Sequence, residues 1–159
     1  MALFLMSCEP AGTVVGGDRA DDYMVARQAL ETGNYSLAIS RYERLLGQAG
    51  DAAGRLQLEY AHSLLRGARY EDAITVATAL IDTQSGSLQG SALAVRGTAQ
   101  HQIVRVKLAS GENGPEQRAR LLAAQSDLTS FVRNHAKLDA ASAMKARLEM
   151  IAADLKEVG

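Results

Sequence analysis

The chain has 159 residues, 47% of them hydrophobic, and a formal net charge of −1. That length suits one domain with its own core, and that apolar content excludes a disordered chain. The balanced charge excludes a strongly basic nucleic-acid binder, and the single cysteine, Cys8, excludes an internal disulfide.

Only two prolines, Pro10 and Pro115, interrupt a sequence rich in Ala, Leu and Arg. Few prolines and few β-branched runs predict an all-α protein. The chain opens MALFLMSCEP, an apolar run from Ala2 to Met6 followed by Ser7 and Cys8. The next stretch, AGTVVGGDRADD, is rich in Gly and small residues and reads as a flexible tether. Residues 1–19 are therefore expected to be a tether or signal remnant, and residues 20–159 the helical domain. No segment reaches the roughly 20 apolar residues that a membrane-spanning helix needs.

The first helix is expected over Ala20 to Thr32, closed by the turn Gly33-Asn34. The second carries Tyr35, Ala38, Ile39, Tyr42, Leu45 and Leu46 at steps of three and four, so they share one face. A third helix runs from Ala52 to Arg66, with Asp51 as its expected N-cap. Gly67-Ala68 is the next turn, with Gly67 expected to supply the positive φ. A fourth helix carries Tyr70, Ala73, Ile74, Ala77, Leu80 and Ile81. The phrases TGNYSLAISRYERLL and GARYEDAITVATALI thus repeat at an offset of 35, which defines repeats over 20–50 and 54–84. Each hairpin has an apolar face that it cannot bury alone, so hairpins must stack. Ala26, Ala38, Ala61 and Ala73 are the small residues expected where helix backbones approach.

The second half is less regular. A helix over Ser91 to Leu108 offers either Gly97 or Ala94 as its small site, and the pattern alone does not choose. Gly111-Glu112-Asn113-Gly114-Pro115 ends it, and Pro115 suits the first position of the next helix. That helix carries Leu121, Ala124, Leu128, Phe131 and Val132. Its Ala124 lies 51 residues after Ala73, so the third hairpin, over about 90–135, is longer than the first two. A last helix is expected over 139–158, with Met144, Leu148, Ile151 and Leu155 in one stripe. Lys145, Arg147, Glu149, Asp154 and Lys156 are expected mostly to face water. The stripe reads as a cap on the stack or as a dimer face. The total is about seven helices.

Paired helices, a tight turn and a period near 34 resemble the tetratricopeptide repeat. Tyr35 and Tyr70 match the family's site after the turn, and Tyr42 its large aromatic. Ala77 departs from that aromatic, and the Pro that often closes a repeat is absent. The resemblance implies an all-α superhelix of hairpins whose first helices line a groove for a peptide or partner helix. Carried onto this sequence, the groove positions are Tyr23, Arg27 and Glu31, then Arg55, Leu58, His62 and Arg66. That set is more basic than acidic, which would favour an acidic segment or a C-terminal carboxylate. His62 would weaken such binding as pH rises through its titration.

Leu5-Met6-Ser7-Cys8 resembles a bacterial lipobox, with Cys8 as the lipidated residue. A signal peptide also carries a basic n-region, and no Lys or Arg precedes Cys8. Two readings therefore stand. In one, the protein is a periplasm-facing envelope lipoprotein, anchored through Cys8, that acts as a scaffold in an assembly, secretion or pilus machine. In the other, the lipobox is fortuitous and the chain is a cytoplasmic adaptor.

Enzyme signatures are missing from the sequence: there is no HExxH, CxxC, P-loop or GxGxxG. The reading is non-enzymatic, with no metal and no cofactor expected. A small ligand-binding helical bundle is the alternative of another class, and it requires a deep pocket with convergent polar groups.

Overall fold

The computed structural model describes residues 17–50 and 53–158. Cys8, the lipobox around it and the Asp51 cap lie outside the described residues. Among those described there are seven α-helices and no strand. They are α1 (Gly17–Glu31), α2 (Tyr35–Leu46), α3 (Ala53–Arg66), α4 (Tyr70–Thr83), α5 (Gly86–Ala109), α6 (Pro115–Asn134) and α7 (Ala143–Glu157). A 3₁₀ turn, Ala136–Leu138, lies between α6 and α7.

Successive helices pack in antiparallel pairs, and α3 and α5 also touch directly. The odd-numbered helices therefore form one layer and the even-numbered helices the other. Tyr35 and Tyr70, the two members of the sequence repeat, are the first residues of α2 and α4. Ala26, Ala38, Ala61 and Ala73 are all 0% exposed, as their small size anticipated. The core falls into three clusters. Ala26, Ala38, Tyr42 and Leu56 fill the space between the first two hairpins. Ala61, Leu64, Ala73, Leu80 and Val95 fill the next. Val104, Leu121, Leu128, Ile151 and Val158 fill the last. Stacking of this kind buries the face that each hairpin alone would leave in water.

Several boundaries and environments differ from the sequence reading. α1 begins at Gly17, inside the expected tether, and α5 begins at Gly86, ahead of the expected Ser91. α7 begins only at Ala143, because the Asp139 carboxylate caps it from a distance. It accepts the Met144 and Lys145 amides at 3.1 and 3.2 Å. In the second turn the left-handed residue is Ala68, with φ 59°, and not Gly67. Gly67 instead allows close approach: a Cβ there would lie 3.1 Å from both Ile39 Cδ1 and the Ser63 carbonyl. Gly97, not Ala94, is the tight site of α5, since a Cβ at Gly97 would meet Leu128 at 2.8 Å. The stripe on α7 packs against α5 and α6 of its own chain, with Ile151 fully buried, so it is a cap and not a dimer face. Asp154, expected in water, is only 3% exposed, and Arg147 is half-buried. Both turn toward α5, where they meet His101.

Candidate interaction groove

The layer of odd-numbered helices presents a groove whose floor is set by helical spacing. On α3, Arg55, Glu59, His62 and Arg66 follow at steps of four, three and four, which places them on one stripe. On α1, Tyr23, Arg27 and Glu31 do the same. Ser91 and Ala94 extend the surface onto α5.

Glu59, which the sequence reading did not select, organises the groove. Tyr42 donates to its Oε2 at 2.6 Å and Tyr23 to its Oε1 at 3.0 Å. Arg55 Nε lies 3.4 Å and Arg27 Nη1 3.7 Å from the same carboxylate. Arg27 also donates from Nε to Glu31 at 2.8 Å. Burial, and then the hydrogen bond to Glu59, push the Tyr42 phenol far above its ordinary range. Arg66 is engaged differently: its Nε and Nη2 both donate to the Tyr35 hydroxyl, at 3.3 and 3.1 Å. The signal for Glu59 was present in the sequence as an i,i+4 pair with Arg55, but nothing local showed that Tyr42 would reach it.

Two recesses meet at His62. One, of about 240 Å³, lies between α1 and α3 and is lined by Arg27, Leu30, Glu31, Glu59 and His62. The other, of about 450 Å³, runs from His62 past Ser91 and Ala94 to Leu138 and Met144. A third recess, of about 530 Å³, opens at the N-terminal edge of α1 and α3 and includes Tyr23 and Arg55. Five of the seven residues named from the sequence therefore line recesses: Tyr23, Arg27, Glu31, Arg55 and His62. Arg66 sits at the end of the same α3 stripe. Leu58 does not belong with them, because it packs against the core between α3 and α5.

Electrostatically the groove is less basic than the sequence reading implied. Three arginines, Arg27, Arg55 and Arg66, face two carboxylates, Glu31 and Glu59. Burial holds the His62 imidazole below its usual value, against the upward pull of Glu59. His62 is therefore neutral at pH 7, and any charge it lends the groove is confined to more acidic conditions.

No protein-family model, curated protein or solved structure matches the chain.

Proposed function

We propose that the chain is a non-enzymatic interaction scaffold of tetratricopeptide type that docks a segment of a partner protein along the α1–α3–α5 groove. The observation that carries this reading is the continuity of the groove: His62 lines both the recess between α1 and α3 and the recess that reaches α7. An open path across three helices suits an extended or helical segment better than a small molecule. The tetratricopeptide assignment draws support from the equivalent placement of Tyr35 and Tyr70 and from the four buried alanines at matching sites.

Catalysis draws no support from the same surface. Ser91 and His62 line one recess with Asp139, but the Asp139 carboxylate is engaged by the Met144 and Lys145 amides. A nucleophile–base–orienter chain is therefore not assembled there.

The partner segment carries acidic groups. Arg55 has a side chain 72% exposed, and Arg66 presents both its bonds to one hydroxyl, so each keeps donors for a carboxylate. The setting in the bacterial envelope rests on the lipobox resemblance at Cys8, and a cytoplasmic adaptor is the alternative that an unlipidated Cys8 would favour.

The test is site-specific photo-crosslinking of the full chain in its native cells. A photoreactive residue at Ala94, in the groove, should capture a discrete partner. One at Ser126, exposed on α6, should not. Capture should fall when Arg55 and Arg66 are both changed to Glu. Capture at Ser126 with none at Ala94 would place the docking face elsewhere and refute the groove.

A further inference from the structure

The groove leaves one buried polar cluster unused. His101 on α5 is 0% exposed, and Asp154 on α7 is 3% exposed. His101 Nε2 and Asp154 Oδ2 lie 2.8 Å apart. Arg147 Nη1 lies 3.2 Å from His101 Nδ1, and Arg105 Nη1 donates to Asp154 Oδ1 at 3.0 Å. A guanidinium can only donate, so Nδ1 accepts from Arg147 and the imidazole proton resides on Nε2, donated to Asp154. The imidazole is thus neutral, with both nitrogens committed to α7.

These contacts divide α7 into two halves. Asp154 holds the C-terminal half, where Arg118 also donates to the carbonyls of Leu155 and Val158. Arg147 holds the N-terminal half to α5, where the other polar tie to that helix is a weak one, from Thr98 Oγ1 to Met144 Sδ at 3.6 Å. The Asp139 bonds to the Met144 and Lys145 amides tie this half only to its own preceding loop. Arg147 Nε is buried without a partner, which already makes this half the less satisfied one. Ala143 and Met144, at the start of that half, are also the wall of the recess that His62 shares.

We propose that His101 is a proton-controlled latch: its protonation frees the N-terminal half of α7 and opens the far wall of the groove, while Asp154 keeps the C-terminal half in place. A second proton has only one place to go, Nδ1. There it faces the Arg147 guanidinium with two donors and two positive charges opposed across one contact. The His101–Asp154 bond gains charge assistance in the same event. The helix consequently pivots about its C-terminal end.

Among the described residues, Asp154 is the one carboxylate hydrogen-bonded to the ring, and it meets Nε2 and not the Nδ1 that takes the second proton. Asp154 and Arg147 from α7 and Arg105 from α5 face the ring. The charged residues of α6 nearby are engaged elsewhere, Asp127 by Arg96 and Arg118 by the α7 carbonyls. On the elements packed against the other half of α5, His62 lies beside Ala94 and Asp82 acts on Arg96. The turn after α6 adds His135, which packs on Gly90 at the far end of α5, Asp139, engaged by the Met144 and Lys145 amides, and exposed Lys137. Burial, with Arg147 and Arg105, outweighs Asp154 and holds the imidazole below its ordinary value near 6.5. The latch is therefore closed at pH 7 and loosens as the pH falls below that value.

As regulation of the groove, the inference rests on the scaffold reading, but its test does not need a partner. Hydrogen exchange of the full chain is measured at pH 7.5 and 5.5, corrected for intrinsic exchange rates. Protection of residues 143–150 is compared with that of α3. In the wild type the ratio should fall, by up to about tenfold per pH unit below 6.5 until the folded value is reached. In His101→Gln, which keeps a neutral donor toward Asp154, the ratio should stay flat. A ratio that does not change in the wild type, or that falls equally in both proteins, overturns the latch. Should the variant fail to fold, NMR titration of the His101 imidazole in the wild type decides. A midpoint below 6.5 that coincides with loosening of 143–150 supports the latch, and one at or above 6.5 overturns it. Failure of crosslinking at Ala94 with an intact latch would strike the groove reading alone.

Discussion

Gly97→Ala sets two effects of known size against each other. Alanine in a helix interior is favoured over glycine by about 1 kcal/mol. At Gly97 the added Cβ would lie 2.8 Å from Leu128 Cγ and Cδ2 and 3.2 Å from the Ala124 carbonyl oxygen. Leu128 is 0% exposed, so its side chain cannot give way by swinging into solvent. The Ala124 oxygen is backbone, so relief requires α6 to move away from α5. Overpacking of this kind costs about 1–3 kcal/mol, which exceeds the propensity gain over most of its range. The variant should lose on the order of 1 kcal/mol net, or roughly 2–4 °C in Tm for a chain of this size. Gly54→Ala is the internal comparison. Its Cβ would meet the tip of Gln84, at 2.9 Å from Oε1, and a flexible amide can swing aside. Gly54→Ala should therefore be neutral or stabilising. Urea unfolding followed by circular dichroism gives both midpoints. A Gly97→Ala protein at least as stable as wild type would show that α5 and α6 are not in the close contact described.

Three further outcomes follow from the same geometry. Ala68→Gly should be stabilising by a few tenths of a kcal/mol, because Ala68 sits at φ 59° and the strain relieved exceeds the extra unfolded-state entropy of glycine; a lower urea midpoint would contradict it. Asp127→Ala should cost about 3–5 kcal/mol, since it leaves Arg96 without the two bonds, at 2.7 and 2.8 Å, that clamp α5 to α6; denaturant titration measures the loss. His62 and His101 are both held below the ordinary histidine value. Each therefore binds its proton more tightly in the unfolded chain, so the stability they contribute is complete above about pH 6.5 and is lost as pH falls through the folded values. His62→Gln should flatten part of that acid dependence in a series of unfolding curves from pH 7.5 to 5, and a steeper dependence would reverse the sign argued here.

Local patterns in the sequence carried much of this architecture. The hairpins follow from apolar steps of three and four bounded by Gly33, Gly67 and the Gly111–Pro115 break. The close approaches follow from alanines at a constant offset. Local pattern misleads mainly where a contact joins distant residues. Gly67 looked like a turn glycine because its need for space comes from Ile39 and Tyr35, about thirty residues earlier. The start of α5 was hidden because Gly86 to Gly90 has no apolar period. Asp154 looked like a solvated helix residue, since nothing within a turn of it reveals His101 at a sequence distance of 53. Glu59 is hidden for the same reason: its importance lies in Tyr23 and Tyr42, which arrive from other helices.

The groove also separates residues that hold the fold from residues free to bind. Arg27 and Arg66 looked equivalent in the sequence, yet their engagements differ. Arg27 contacts Glu31 and the partly buried Glu59, whose side chain is only 13% exposed. Removing Arg27 leaves that carboxylate with less compensation, so Arg27→Ala should lower the unfolding midpoint. Among the described residues Arg66 bonds to the Tyr35 hydroxyl and lies over its ring, neither of them charged. Removing Arg66 strands no buried charge, so Arg66→Ala should leave the midpoint within experimental error of wild type. Toward an acidic partner segment the order reverses. Arg66 has a charge that no carboxylate among the described residues pairs with, whereas the charge of Arg27 is already balanced. With three arginines against two glutamates in the groove, the long-range field is weak and is screened over about 8 Å at physiological salt. On the proposed docking, recognition of carboxylates would then come from direct contact and not from steering. Arg66→Ala should weaken binding of the crosslinked partner several-fold, chiefly through faster dissociation, while Arg27→Ala at equal folded fraction should change it little. Equal losses of binding in the two variants, measured by surface plasmon resonance, would mean that Glu59 does not neutralise its side of the groove.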